Sequence, residues 1–274
     1  MRLTRTRRIL EEAHERLTTA AAQGGDISPA GEWLLDNYYL LQENIGEVRD
    51  SLPRGYYREL PELAEGPLAG YPRVYEVAIT LISHTEGRID LANVSGFVSA
   101  FQQVAPLTLG ELWALPAMLR LGLFENVRRM ALRTVLRLDE MESADRAAAG
   151  IVEAAQAGQE ELDRELDRFA SNPPTLTPTF ISRFLQQLRI EGGALPAVAR
   201  LEHWIAEEAL SAEDATARTT GRLALTQVMM ANSITSLRAI AQVEWRSFVE
   251  EQSRMEAMLR TDPSGFYPRM TFAT

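Results

Sequence analysis

Thr108-Leu109-Gly110-Glu111-Leu112-Trp113-Ala114-Leu115-Pro116-Ala117-Met118-Leu119 is the stretch that decides the fold. Thr108 and Glu111 stand three apart, the spacing of a capping box that satisfies the first free N–H groups of a helix. Apolar residues then recur at helical spacing as far as Leu138. Pro116 lies inside that pattern, so a kink or a break is expected there. Elsewhere the apolar spacing is again helical, and no useful length alternates like a strand. The reading is all-α with no sheet: a multi-helix antiparallel array or two packed helical bundles, with roughly ten to twelve helices at the usual helix length.

Punctuation divides the rest. A first helix covers about Leu3 to Ala22 and stops at Gly24-Gly25. Ser28-Pro29 supplies an N-cap and a first-turn proline for the next, which ends at Leu52-Pro53. Arg54 to Pro72 carries Gly55, Pro61, Gly66, Pro67, Gly70 and Pro72 beside Tyr56, Tyr57 and Tyr71, and reads as an ordered loop. Helices resume over Arg73 to Thr85 and Leu91 to Val104, the latter capped by Asp90. Ser143 is placed to cap a helix towards Ala170. Asn172-Pro173-Pro174 is the strongest breaker. Thr177-Pro178 restarts a helix that Gly192-Gly193 ends. A short helix follows over Pro196 to Leu210. Ser211 and Asp214 resemble a capping box for a pattern running to Arg260, with an interruption expected at Asn232-Ser233. The expected divisions are an N-terminal helix 1–26, a first helical half 27–171 and a second half 172–274, or one continuous domain 1–274.

Composition removes several function classes. The chain has 274 residues, no cysteine and a formal net charge of −10. No disulfide framework or thiolate site is available, and an acidic surface disfavours nucleic acid. Every basic side chain is Arg, which fits a GC-rich coding bias as well as it fits anion recognition. The longest apolar run, Leu112 to Leu119, is far short of a bilayer span. The arginines in Met1 to Arg8 are followed by Glu11-Glu12 rather than an apolar stretch, so they do not begin a secretory signal. They suit a solvated helix start, or contact with an anionic lipid surface.

No catalytic constellation is found. His14, His84 and His203 are far apart. Glu11 and His14 give one Glu-x-x-His, but a di-iron bundle needs two such motifs and further glutamates. No Gly-x-Ser-x-Gly elbow, Walker loop or dinucleotide fingerprint occurs. Glu43 and Glu47, at i,i+4, fit a solvated helix face. Asp36 sits among Trp33, Tyr38 and Tyr39, a grouping that suits either a sugar-like ligand or a satisfied aromatic core. Arg54, Arg58 and Arg73 flank the tyrosines and suit an anion or, as structure, pairing with Glu32, Asp36 or Glu59. The candidate ligand-binding residues are therefore Trp33, Asp36, Tyr39, Arg54, Tyr57, Arg58 and Arg73. No catalytic residue and no metal ligand is assigned.

Several segments in the same order resemble the N-terminal region of bacterial cyclic β-1,2-glucan synthases. They are Glu32 to Tyr39 with Leu52 to Leu63, Gly66 to Tyr75, Val104 to Trp113, Asn232 to Arg238 and Asp262 to Tyr267. The resemblance spans about Ile27 to Thr274 and is weakest between Asp139 and Ala170. It implies a large inner-membrane parent that builds β-1,2-glucan from UDP-glucose with a divalent metal. It also implies that this chain is the soluble region before the membrane helices, on the cytoplasmic side, and a piece of a longer protein. The transferase motifs of that family are missing: there is no Asp-x-Asp or Thr-Glu-Asp. Gln242-Val243-Glu244-Trp245-Arg246 has Trp and Arg in the wrong order for Gln-x-x-Arg-Trp.

Two functions follow as expectations. One is a non-catalytic accessory domain that positions or regulates the catalytic parts, with no cofactor of its own. Its partners would be the transferase and membrane parts of the same polypeptide. The other is a glycan- or nucleotide-sugar-binding helical module, with β-1,2-glucan or anionic lipid as a further partner.

Overall fold

Capping groups written into the sequence set where several helices begin. The computed structural model describes residues 2–191, 196–265, 267 and 270. Among them are α1 (Arg2–Ala22), α2 (Ser28–Asp36), α3 (Tyr38–Ser51), α4 (Arg54–Glu59), α5 (Arg73–His84), α6 (Leu91–Val104) and α7 (Leu109–Ala157). Then come α8 (Gln159–Ser171), α9 (Pro178–Glu191), α10 (Pro196–Glu208), α11 (Ala212–Gln242), α12 (Trp245–Gln252) and α13 (Arg254–Leu259). The fold is all-α: the described residues hold no strand, only an isolated antiparallel bridge between Glu62 and Pro72.

Three of the expected caps form, at Asp90, Thr108 and Ser211; the N-cap expected at Ser28 does not, because Ser28 lies in the first turn of α2 and its Oγ neither accepts nor donates a hydrogen bond. Asp90 accepts from the Asn93 N–H at 2.8 Å, and Asn93 returns the contact to the Asp90 N–H at 3.1 Å. Thr108 Oγ1 accepts from the Glu111 N–H at 3.2 Å while Glu111 Oε2 accepts from the Thr108 N–H at 2.8 Å. Ser211 Oγ accepts from the Asp214 N–H at 3.1 Å.

Several boundaries differ from expectation: the helix expected from Ser28 to Leu52 is divided at Asn37, and the pattern expected to reach Arg260 is divided after Gln242 and at Ser253. Four further differences concern Pro116, Ser143, Asn232-Ser233 and the Arg54 to Pro72 segment. Pro116 does not break α7, which runs on to Ala157. The lost hydrogen bond and ring clash cost about 3 kcal/mol. Leu112, Leu115, Met118, Leu119 and Leu123 are all fully buried around it, and each buried side chain returns roughly 1.5–3 kcal/mol. Ser143 caps nothing, because it lies inside α7; the break comes at Gly158, whose φ of 131° favours glycine. Asn232-Ser233 does not interrupt α11, because Asn232 Nδ2 donates sideways to the Glu86 carbonyl at 3.2 Å. The segment from Arg54 to Pro72 is ordered, as expected, but opens with the short helix α4. Its loop is closed by the Leu63 N–H on the Tyr71 carbonyl and the Arg73 N–H on the Pro61 carbonyl, at 2.9 and 2.7 Å. The stop expected at Gly192-Gly193 lies outside the described residues, as do Phe266 and Phe272-Ala273-Thr274.

The chain divides into two units. The first draws on Met1–His14, Trp33–Met130 and Val228–Thr274. Its buried residues include Leu41, Val48, Val74, Ala78, Val98, Leu119, Phe124, Ile234, Leu237 and Val249. The second draws on Glu15–Glu32 and Ala131–Gln227. Its core joins Ala148, Ile151, Leu162, Phe180, Ile181, Leu188 and Ile205. Phe184 stacks on Phe169 and Phe180, at 5.1 and 5.5 Å between ring centroids. Asn172-Pro173-Pro174 separates α8 from α9 inside this unit.

Candidate functional site

Helix α4 carries aromatic and cationic side chains on two faces of a six-residue turn, and each face lines a different cleft of the first unit. Residues three and four apart share a helix face. Arg54, Tyr57 and Arg58 therefore go together, and they line a cleft of about 430 Å³ with Tyr71, Tyr75, Phe124 and Glu125. Arg54 and Arg58 are exposed and Tyr57 is half-buried. The Glu125 carboxylate is engaged by Arg128, one turn away. Tyr71, in the loop before α5, stacks on Tyr75 of α5 at 5.7 Å between ring centroids.

The other sequence candidates lie elsewhere. Trp33 is half-buried and Asp36 exposed on α2, and Tyr39 is 61% exposed at the start of α3. Tyr38 stacks on His14 at 4.0 Å. Arg73 donates from Nε and Nη2 to the two carboxylate oxygens of Glu111, at 3.0 and 2.7 Å, and from Nη2 to the Pro106 carbonyl at 2.9 Å. Its partner is thus Glu111 rather than Glu32, Asp36 or Glu59. Of the seven candidates, the structure gathers Arg54, Tyr57 and Arg58 at one cleft.

Tyr56 turns to the other side of α4. It helps line an open cleft of about 720 Å³ with Glu47, Trp113, Pro116, Arg120 and Trp245. Its hydroxyl donates to the Gly110 carbonyl at 2.5 Å, and burial raises its pKa. Arg120 is 6% exposed, and its Nε donates to Asn44 Oδ1 at 3.0 Å. Burial pushes the Arg120 pKa down, while the charge of Glu47 works in the opposite direction. No described carboxylate lies within ion-pair distance of this guanidinium. Two indoles, a buried guanidinium and an exposed carboxylate make a wall that can stack on an apolar face and both donate and accept hydrogen bonds.

Sequence reasoning did not select these residues, although a signal was present. Trp113, Pro116, Ala117 and Arg120 fall at i, i+3, i+4 and i+7, a single helix stripe. Arg120 also interrupts an otherwise apolar run. Trp245 and Glu47 come from distant segments that only the fold brings together.

The segments that resemble glucan synthases carry several of the long-range hydrogen bonds of the first unit. Arg73 and Glu111 join two of them. In a third, Ser236 Oγ accepts from the Ile89 N–H at 2.7 Å and donates to the Gly87 carbonyl at 2.8 Å. Arg238 Nη2 donates to Asn37 Oδ1 at 2.8 Å. In the last, Asp262 accepts from the Ser264 N–H at 2.9 Å.

Among the described residues, no group of three or more His, Asp or Glu side chains is placed to hold a metal ion. No helix among them is long and apolar enough to cross a membrane. No family model matches the chain. Comparison with known proteins bears out the resemblance read from the sequence. The chain is 33% identical over 248 residues to the cyclic beta-(1,2)-glucan synthase NdvB of Rhizobium meliloti, covering 89% of this chain. It spans 8% of the length of that relative.

Proposed function

We propose that this chain is a non-catalytic helical accessory region of a large membrane-bound glycosyltransferase of the cyclic β-1,2-glucan synthase kind. It positions or regulates the catalytic parts. The observation that carries the reading is 33% identity over 89% of this chain and 8% of the relative. The sequence also lacks the carboxylate motifs that hold metal and diphosphate in such transferases. In this reading UDP-glucose and a divalent metal are handled by the transferase part. The partners of this region are the transferase and membrane parts of the same polypeptide, on the cytoplasmic side of the inner membrane. Titrating the purified chain against an NdvB-type enzyme lacking the matching region tests this. Saturable association is expected, and none at about 0.1 mM would overturn the reading.

A second reading, a glycan-binding module, is favoured by the cleft that joins Trp113, Trp245, Tyr56, Arg120 and Glu47. Indole faces stack on the C–H faces of a sugar, the guanidinium donates to hydroxyl oxygens and Glu47 accepts from hydroxyls. Arg54, Tyr57 and Arg58 offer a second, more cationic surface for a nucleotide-sugar. Tryptophan fluorescence during titration with β-1,2-linked glucose oligomers should change and saturate, and should lose that response in Trp245→Ala.

A further inference from the structure

Among the described residues, four buried side-chain atoms have no hydrogen-bond partner: Ser28 Oγ, Arg137 Nε, Thr219 Oγ1 and Ser233 Oγ. The first three line a single cleft of about 410 Å³ in the second unit. Its walls are the start of α2, the Arg133–Glu140 stretch of α7, Thr179 at the start of α9 and the Thr219–Thr226 stretch of α11. Ser28 is 5% exposed. Its φ of 61° is unusual for a residue with a side chain. The Asp26 carboxylate holds it there by accepting the Ser28 N–H at 3.0 Å. The same carboxylate accepts from Arg137 Nη2 at 3.0 Å, leaving Nε of that guanidinium turned away.

Buried polar atoms in native proteins almost always have a partner. Three without one in a single cleft point to a partner from outside the chain. The charge of the lining says which kind. Arg133, Arg137 and Arg222 line the cleft with one carboxylate, Glu140, and Asp26 pairs with Arg137 beside it, so cations outnumber carboxylates three to two in a chain whose net charge is −10. The unsatisfied groups are a guanidinium N–H and two hydroxyls, all able to donate. Water would satisfy the hydroxyls but adds no negative charge to a lining in which cations outnumber carboxylates. A phosphoryl group supplies both the acceptors and the charge.

We propose that this cleft binds a small phosphate ester. Ser28, Arg137, Thr219 and Arg222 donate to its phosphoryl oxygens. The volume falls in the range of small-molecule sites, about 300–1,000 Å³, and so leaves space for an organic group beside Leu223 and Leu225. The walled shape favours a soluble ester over a bilayer headgroup. This proposal is independent of the accessory reading, since it rests on the unsatisfied atoms alone.

Calorimetric titration of the whole chain with inorganic phosphate, pyrophosphate and glucose 1-phosphate, at matched ionic strength, tests it. Saturable binding of a phosphate probe is expected, weakened by roughly tenfold or more in Arg222→Gln and in Thr219→Val. Arg222 is exposed, so its substitution leaves the fold intact. Thr219→Val removes an unsatisfied hydroxyl and should hold or raise the melting temperature of the free protein while weakening the ligand. No binding of any probe at about 10 mM overturns the proposal. So does binding that both variants leave unchanged. Co-sedimentation with phosphatidylglycerol vesicles that depends on Arg222, with no response to soluble esters, also overturns it.

Discussion

Arg73 forms a two-point ion pair with Glu111, at 3.0 and 2.7 Å, and the Glu111 side chain has no exposed surface. One carboxylate thereby closes the cap of α7 and ties the start of α5 to it. Removing one partner of a buried pair strands the other charge. Glu111→Ala is expected to cost about 3 kcal/mol or more in urea unfolding. Glu111→Gln should cost less, because its amide oxygen can still accept from the Thr108 N–H. Arg73→Met combined with Glu111→Leu should recover part of the loss, since an apolar pair strands no charge, while the open cap at the Thr108 N–H keeps about 0.5–2 kcal/mol of it.

Gly87 fills the turn between α5 and α6 at a φ of 80°. A Cβ there would sit 2.8 Å from Ser233 Oγ and 3.2 Å from Asn126 Nδ2. Gly87→Ala therefore meets both backbone strain and a clash. The strain alone costs about 1–2 kcal/mol, and thermal unfolding should show a loss at least that large.

Arg120 separates stability from binding. Its buried guanidinium has no ion pair within reach among the described residues, but its Nε satisfies the buried Asn44 Oδ1. Arg120→Met strands that oxygen while removing a buried charge, and should cost no more than about 1–3 kcal/mol in unfolding. The same variant should lose the fluorescence response to β-1,2-linked glucose oligomers. A large loss of stability with unchanged binding would contradict the role given to this cleft.

Asp26 predicts the acid limb of stability. Burial acts to raise its pKa, but the Arg137 guanidinium and the Ser28 N–H together outweigh it and hold the group below the ordinary carboxylate value. A carboxyl with a depressed folded pKa contributes stability above its unfolded pKa and loses it as pH falls through the folded value. Asp26→Asn should thus flatten the fall in stability below about pH 4. The two proteins should converge at the acid end, as followed by melting temperature against pH.

Much of the fold was legible because helix signals are local. The boxes at Asp90 and Thr108–Glu111 and the stops at Ala22 and Leu52 involve residues within one or two turns. Pro116 and Asn232-Ser233 read as breaks in the sequence, yet distant groups keep both inside helices: a fully buried flank in one case, the Glu86 carbonyl in the other. Ser143 reads as a cap from its residue type alone, whereas α7 ends at Gly158 through a backbone conformation that no neighbouring residue announces. The site was less legible. Arg54, Tyr57 and Arg58 meet because α4 places them at helical spacing. The Trp113–Arg120 stripe was also readable, but Trp245 and Glu47 reach it only through tertiary packing. The Ser28–Arg137–Thr219 cleft had no sequence signature, since an unsatisfied atom is a property of packing alone.

The central claim is that this region serves the catalytic parts of a glucan synthase without catalysing the reaction itself. The most direct measurement is synthesis of cyclic β-1,2-glucan from UDP-glucose by an NdvB-type enzyme from which the matching region has been deleted, with and without this chain added. The account predicts that the deleted enzyme is impaired or makes products of altered length. It also predicts that the added chain restores the normal output while turning over no UDP-glucose alone. A deleted enzyme that works normally, or an isolated chain that consumes UDP-glucose, would contradict it.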